Sequence, residues 1–260
     1  MLRVPTPDGP VWFKASAAAL AHDGPVTAAL ARIRPDAVLT PLALDVKRGF
    51  VLLPHGGETL RAVRERERHP QRWIDSLALY AELQVAAAPH VDELVAVGLP
   101  DQRLGRIPVL ARDLGVNDAE PLCQELAAFG LPETVQHDDF HDANVFVTHG
   151  GYRIFDWGDA CASHPFCSLT VGLRAFAYHL RLAEHDPDVV QAREAYLEPW
   201  EAFGSRRELR RAAALAERLG MLCRALTYRR IRVQSPEAIQ TTYDESVSGW
   251  LEDFLAESPS

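Results

Sequence analysis

One stretch of the sequence, residues 136–160, constrains the fold of this chain more than any other. Two short apolar runs of β type, residues 145–147 and 152–155, stand on either side of a turn that contains Gly150 and Gly151. That pattern predicts a β-hairpin. Polar side chains stand at the open end of both strands: His137, Asp138, Asp139, His141, Asp142 and Asn144 before the first, and Asp156 and Asp159 after the second. The hairpin would therefore bring two groups of carboxylates together.

Oxygen ligands at this density suit a hard cation, above all Mg²⁺, which takes a few protein oxygens and leaves the rest of its shell to water and phosphate. Phosphoryl transfer needs little more from a protein than such a metal, a carboxylate that orients the attacking hydroxyl, and a cation on the phosphates. The order Asp139, Asn144, Asp156 is that of the catalytic Asp and the two Mg²⁺ ligands of kinases. The spacing predicts a kinase-like phosphotransferase.

These residues also carry a family resemblance. Residues 137–145, His-Asp-Asp-Phe-His-Asp-Ala-Asn-Val, resemble the H-G-D-x-H-x-x-N-V motif of the aminoglycoside phosphotransferase and choline kinase-like family, and residues 155–160 resemble its I-D-W-G-D-A motif. The resemblance implies a protein-kinase-like fold, with ATP as donor to a hydroxyl of a small molecule. It assigns Asp139 as the catalytic residue, and Asn144 and Asp156 as the ligands of Mg²⁺.

One position departs from the family motif. Asp138 stands where the family usually has Gly. A second carboxylate facing the site would raise the pKa of its neighbour Asp139. We therefore expect Asp138 to point away from the site.

Other interpretations of the polar stretch remain open. A loop rich in His and Asp can be a solvated turn whose side chains cap the backbone, although that does not account for a second motif at hairpin distance. His137, Asp139 and His141 alternate in a way that suits Zn²⁺ or Fe in a metal-dependent hydrolase. The hydrolase explains neither Asn144 nor the second group of carboxylates.

Composition limits the partners. The 260 residues carry a formal net charge of −9, which argues against nucleic acid, because a phosphate-binding surface needs an excess of Lys and Arg. The basic run at residues 61–68 is interleaved with Glu and is typical of a solvated helix face.

No apolar run approaches the roughly 20 residues of a membrane span, and no obligate protein partner is evident. Four cysteines without C-x-x-C spacing, after an N-terminus without a long apolar region, indicate reduced thiols in a cytoplasmic protein.

The N-terminal residues read as a small sheet. Runs of β type at residues 2–6 and 11–15 place Lys14 near the end of a second strand. The resemblance implies that Lys14 contacts the nucleotide phosphates and pairs with an acid on the next helix, where Asp23 stands. We expect Gly24 and Pro25 to interrupt the start of that helix.

A second hairpin is predicted over residues 39–45 and 50–53, followed by an irregular break at 54–57. The break is the expected hinge between two lobes. The resemblance implies that the backbone just before it, at Leu53, holds the edge of the adenine.

The rest of the chain reads as helix apart from the polar hairpin. Apolar residues recur at helical spacing over residues 58–68, 71–97, 103–114, 120–129, 168–183, 189–203, 206–228 and 235–255. We therefore predict an α+β, protein-kinase-like fold, with a reduced antiparallel β lobe that binds nucleotide over residues 1–55. A mainly helical lobe over residues 56–260 would carry the catalytic hairpin 136–160.

One part of a kinase-type lobe is not evident in the sequence. Lys14 follows only one short strand, and no glycine-rich loop precedes it. We expect either that the strand and the phosphate-covering loop are lost, or that the true start lies upstream of Met1. On this basis we expect the 260-residue form to be poorly active, and a truncated, catalytically weak or inactive kinase-like protein remains the alternative.

Overall fold

The computed structural model of the protein describes residues 1–7, 9–67, 70–183 and 185–256. Its N-terminal part is an antiparallel sheet in the order β1-β2-β4-β3, with β1 at one edge. The strands are β1 (Leu2–Val4), β2 (Val11–Ala15), β3 (Ala43–Asp45) and β4 (Phe50–Pro54). The strand predicted from residue 39 begins only at Ala43, because Pro41 has no N–H to contribute to a sheet.

Helix α1 (Asp23–Ile33) connects β2 with β3. The expected interruption at Gly24 and Pro25 is wrong. Pro25 lies in the first turn, where its missing N–H would have had no partner within the helix. Gly24 is useful there, since a Cβ at this position would lie 2.9 Å from Leu44 Cδ2. The small residue lets the helix start pack closely on β3, and it places Asp23 beside the sheet.

The predicted hairpin is confirmed. Strands β7 (Val145–Thr148) and β8 (Gly151–Ile154) pair from Val145 opposite Ile154 to Thr148 opposite Gly151. A short strand β5 (Glu58–Thr59) adds to the other side of β7. Ile154 N donates to Ala37 O at 2.8 Å, so the hairpin is tied to the segment that follows α1.

The residues just before and just after the polar stretch pair with each other as a two-stranded sheet. It consists of β6 (Thr134–Gln136) and β9 (Cys161–Ser163). Because β6 leads into residue 137 and β9 follows residue 160, both ends of the polar stretch are held by the same sheet.

The remaining elements are helices: α2 (Leu60–Glu67), α3 (Gln71–Ala87), α4 (Val91–Ala96), α5 (Ile107–Arg112), α6 (Ala119–Ala127), α7 (Ser168–Leu180), α8 (Pro187–Leu197), α9 (Arg206–Gln234), α10 (Glu237–Gln240) and α11 (Asp244–Ala256). The helix predicted over residues 58–68 starts two residues late, because residues 58–59 pair as β5, and Arg68 lies outside the described residues. Helix α9 starts at a capping box in which Ser205 and Glu208 bond each other's backbone, and it runs six residues beyond its predicted end.

Across the described ranges, no helix combines the length and the apolar character that crossing a membrane requires. The predicted division of the chain at residue 55 stays a prediction.

Helix α3 contributes large side chains to the core of the helical part. Trp73, Leu77 and Tyr80 of this helix are almost completely buried. Gln84 Nε2 donates to Val135 O at 2.8 Å, which ties α3 to β6. The core therefore fixes the strand from which the polar stretch begins.

Candidate active site

The segment that follows β6 alternates between core and surface. His137 N donates to Tyr80 Oη at 2.7 Å, and Phe140 stacks on the Tyr80 ring at 4.6 Å. Since His137 and Phe140 point into the core, the side chains of Asp139 and His141 are left partly exposed. Burial of His137 and Phe140 therefore turns the side chains of Asp139 and His141 towards solvent.

His137 is a structural residue. Its imidazole is buried, and its Nε2–H donates to Phe155 O at 2.9 Å. Burial lowers its pKa, so the ring is neutral. Within the described residues, no three His, Cys, Asp or Glu side chains converge as a metal cluster. The structure therefore gives no support to the hydrolase hypothesis built on His137, Asp139 and His141.

Asp139 is oriented from two sides. Its Oδ2 lies 3.3 Å from His141 Nε2 and accepts from Asn144 Nδ2 at 3.2 Å. His141 Nδ1 accepts from Ala143 N at 3.2 Å, so the ring proton lies on Nε2 and points at Asp139. Burial acts to raise the pKa of Asp139, but the hydrogen bond from His141 and the charge of Arg224 outweigh it and lower the pKa. Asp139 is therefore an ionised carboxylate, 35% exposed.

Lys14 joins the N-terminal sheet to the hairpin. Its Nζ lies 2.7 Å from Asp23 Oδ2 and 2.6 Å from Asp156 Oδ1. Burial acts to lower the pKa of Lys14, but the two carboxylates outweigh burial and raise it. Asp23 Oδ1 in turn accepts from Trp157 N at 2.8 Å. The predicted pairing of Lys14 with Asp23 is present, and Asp156 joins it from 142 residues away.

The hairpin brings Asn144 and Asp156 together. Phe155 N donates to Asn144 O at 3.1 Å, which sets the two polar residues at adjacent strand ends. Asn144 Nδ2 donates to the main-chain and side-chain oxygens of Asp139 at 2.9 and 3.2 Å. The amide nitrogen is thus engaged by Asp139, and no hydrogen bond from the described residues reaches the amide oxygen.

Leu53 lies on β4 opposite Trp12. Its side chain packs with Leu39 and Val51 in a small apolar cluster, so only its backbone is a candidate for contact with a nucleotide. The break that follows requires glycine: a Cβ on Gly56 would lie 2.2 Å from Phe146 Cδ2. The adenine role of Leu53 stays a prediction.

Asp138 occupies a backbone conformation that favours glycine. Its φ is 63°, in the left-handed region that Asp enters more readily than most residues. Its carboxylate is buried, and Oδ1 accepts from Gln136 Nε2 at 2.7 Å. Burial raises the pKa of Asp138 to about 7. The carboxylate of Asp138 thus points into the core, whereas that of Asp139 is partly exposed. Both carboxylates nevertheless lie 3.6 Å from the same guanidinium.

That guanidinium belongs to Arg224 of α9. Its Nη1 lies 2.9 Å from Asp159 Oδ2 and 3.6 Å from Asp138 Oδ2, and its Nη2 lies 3.6 Å from Asp139 Oδ1. Nη2 also donates to Tyr228 Oη at 2.8 Å. We call Arg224, Asp138, Asp139, Asp159 and Tyr228 the Arg224 cluster. Sequence reasoning missed it, although the signal was available: Arg224 is a lone charge in the apolar run 219–227.

Two arginines of α2 hold the polar stretch at Asp142. Arg61 Nε donates to Asp142 Oδ1 at 2.9 Å, and Arg64 Nε donates to Asp142 Oδ2 at 2.8 Å. The carboxylate of Asp142 is fully buried. For Arg61 and Arg64, the interpretation of residues 61–68 as a solvated helix face is therefore wrong. These two side chains anchor the turn that carries Asn144.

The sequence and the fold were both compared with those of known proteins. The sequence model of the phosphotransferase enzyme family matches residues 11–210. A search of curated protein sequences finds no match.

Solved structures share the fold at low sequence identity. An ethanolamine kinase from Plasmodium vivax is 9% identical, with a TM-score of 0.65 over 97% of this chain and 79% of that one. A macrolide 2'-phosphotransferase from Brachybacterium faecium is 15% identical, with a TM-score of 0.57 over 94% and 87%. A choline kinase from Streptococcus pneumoniae is 10% identical, with a TM-score of 0.56 over 98% and 89%. The predicted protein-kinase-like α+β fold is confirmed.

Proposed function

Since the chain belongs to the phosphotransferase enzyme family, we propose that it transfers the terminal phosphoryl group of ATP, with Mg²⁺, to a hydroxyl group of a small molecule. The observation that carries the proposal is the double ion pair of Lys14 with Asp23 and Asp156. It joins a cation on β2, a carboxylate at the start of α1 and a candidate metal ligand just after β8, which are three separate parts of the sequence. Phosphoryl transfer depends mainly on such positioning and charge.

Asp139 is the proposed catalytic residue. Its carboxylate is ionised and partly exposed, so it can accept the proton of an approaching hydroxyl. His141 and Asn144 both contact Oδ2, which leaves Oδ1 on the side from which the acceptor would come. A positioned base of this kind contributes about 10²–10⁴ to a rate.

Asn144 and Asp156 are the proposed ligands of Mg²⁺. One amide oxygen and one carboxylate fit this ion, which binds through few protein oxygens and keeps water and phosphate in its shell. Mg²⁺ supplies charge neutralisation on the phosphates when bound. The donor set contains no thiolate or free imidazole, so it does not favour a softer metal.

Lys14 supplies positive charge for the phosphates of the donor. Asp23 holds the ammonium in place, and Trp157 N holds Asp23. This support fixes Lys14 whether or not Asp156 is engaged elsewhere. In the same proposal, the backbone at Leu53 receives the adenine.

The proposal extends to partners. We propose a cytoplasmic enzyme with a small hydroxyl substrate and without a nucleic-acid, membrane or obligate protein partner. The net charge of −9 supports the first of these exclusions.

The test is release of ADP from ATP and Mg²⁺ in the presence of aminoglycosides, choline-like amines, amino alcohols or sugars. We expect release with at least one acceptor, and loss of that release in Asp139→Asn. If no acceptor releases ADP and no ATP binds, the proposal is wrong and the inactive alternative holds.

A further inference from the structure

The carboxylates beside Asp139 already have cationic partners in this chain. Arg224 lies within 3.6 Å of Asp138, Asp139 and Asp159, and Lys14 pairs with Asp156. An ammonium group on an acceptor would have to compete with these fixed cations for each carboxylate. The free energy that an ammonium group would gain by binding beside these carboxylates is correspondingly small.

Arginine side chains also lie over the two aromatic rings beside Arg224, those of Tyr228 and Trp250. The Arg224 guanidinium lies 4.6 Å from the centre of the Tyr228 ring and 5.9 Å from that of Trp250, and the Arg174 guanidinium lies 5.2 Å from the Trp250 ring. Aromatic faces are the other surface on which proteins bind amine cations. Here the chain's own arginines lie over those faces.

We infer that the acceptor is an uncharged hydroxyl compound such as a sugar or polyol, and that Arg224 disfavours acceptors that carry an ammonium group. The inference rests on the proposed phosphotransferase function, because it assumes that the acceptor hydroxyl reaches Asp139. Oδ1 of Asp139 faces Arg224, while Oδ2 is engaged by other residues. A hydroxyl that approaches Oδ1 therefore comes next to a fixed positive charge.

Tyr228 can donate a hydrogen bond to a hydroxyl group of the acceptor. Its oxygen accepts from Arg224 Nη2 at 2.8 Å, so its own hydrogen is directed elsewhere. Burial raises the pKa of Tyr228, which keeps that hydrogen in place. A second hydroxyl of a sugar or polyol can accept from Tyr228, whereas an ammonium group can only donate.

The first experiment compares acceptors that differ in one charge. The matched pairs are glucose with glucosamine, ethylene glycol with ethanolamine, and 3,3-dimethylbutan-1-ol with choline. The measurement is kcat/KM for ADP release by the full chain. Wherever one member of a pair is an acceptor, we expect the uncharged member to be favoured by at least about tenfold.

The second experiment removes the arginine together with the carboxylate that would be left buried. In the double variant Arg224→Met, Asp138→Gly, the preference for the uncharged member should fall by about tenfold or more. Asp138→Gly alone keeps Arg224 and should keep the preference. Arg210→Met is the general charge control. Arg210 lies on α9 like Arg224, about 20 Å away at the helical rise, and it pairs with Glu194 of α8. A ratio between two acceptors is insensitive to a partial loss of folded protein.

The outcomes are distinguishable. If the ammonium member of the pairs is favoured, the acceptor inference is overturned while the phosphotransferase function stands. If the double variant keeps the original ratio, Arg224 is not the selective residue. Absence of ADP release and of ATP binding overturns the proposed function, and the inference with it.

Discussion

The buried carboxylate of Asp138 should make the protein less stable as the pH rises. Burial raises the pKa of Asp138 from its ordinary value of 3.8 to about 7 in the folded state. A folded state that binds the proton more tightly than the unfolded state gains stability from protonation. That stability is fully present below the unfolded pKa of 3.8 and is lost as the pH rises through 7.

The magnitude follows from the two pKa values. A difference of about three units corresponds to roughly 4 kcal/mol once the pH is well above 7. Between about pH 5 and about pH 8, the loss from Asp138 alone comes to roughly 2.5 kcal/mol. Ion pairing with Arg224 is already included, because it opposes the effect of burial on this pKa.

The assay is the free energy of unfolding in urea at these two pH values, for the parent and for Asp138→Asn. Asn tolerates the left-handed backbone and can still accept from Gln136. It loses the ion pair with Arg224, but it does not titrate, so this loss is the same at both pH values. We expect the unfolding free energy of the parent to fall by roughly 2.5 kcal/mol more than that of the variant between the two pH values.

Asp138→Gly separates charge from backbone strain. Glycine at a φ of 63° removes both, and the strain contributes about 1–2 kcal/mol. Its pH dependence should match that of Asp138→Asn. If the parent and both variants lose stability in parallel as the pH rises, the carboxylate is ionised throughout and the argument from its burial is wrong.

The remaining predictions concern the catalytic segment. Asp139→Asn should lower turnover by about 10²–10⁴ with ATP affinity nearly intact, measured by steady-state kinetics and nucleotide titration; turnover within a few fold of the parent would remove Asp139 from the base role. Asp156→Asn should raise the Mg²⁺ concentration needed for half-maximal activity more than Asp159→Asn, because Asp159 pairs with Arg224 at 2.9 Å and is not a proposed ligand; the reverse order would contradict the assignment. Arg64→Met should destabilise the fold by up to about 3–5 kcal/mol in urea unfolding, because it leaves buried Asp142 with Arg61 alone; a change below about 1 kcal/mol would show that Arg61 suffices.

Local patterns predicted the elements whose geometry is local. The hairpin over residues 145–154 was readable because its turn and its apolar runs lie within ten residues of each other. The start of α1 was misjudged for the opposite reason. Glycine and proline predict a break in the interior of a helix, whereas in the first turn Pro25 costs no hydrogen bond, and the absence of a side chain at Gly24 leaves room for Leu44.

The candidate site was only partly readable. Family resemblance placed Lys14 and Asp23 correctly as a pair, and the hairpin placed Asp156 near Asn144. The contact of Asp156 with Lys14 was not predicted. The ion pairs of the arginines were not predicted, because their partners are distant in sequence. Arg61 lies 81 residues from Asp142, and Arg224 lies 65 residues from Asp159. Such partners depend on how helices pack, which periodicity does not specify.

Asp138 and Arg224 each break a local rule, and each partly offsets the cost of burying the other. A buried Asp in a left-handed conformation and a buried Arg in an apolar helix are separately unfavourable. Together they form an ion pair 3.6 Å apart. A charged residue at a glycine position of a catalytic motif, together with a lone arginine in a distant apolar helix, is therefore a joint signal that the two meet. Arg224 also lies 3.6 Å from Oδ1 of Asp139, so in the proposed function α9 contributes to the electrostatics of acceptor binding together with the motif.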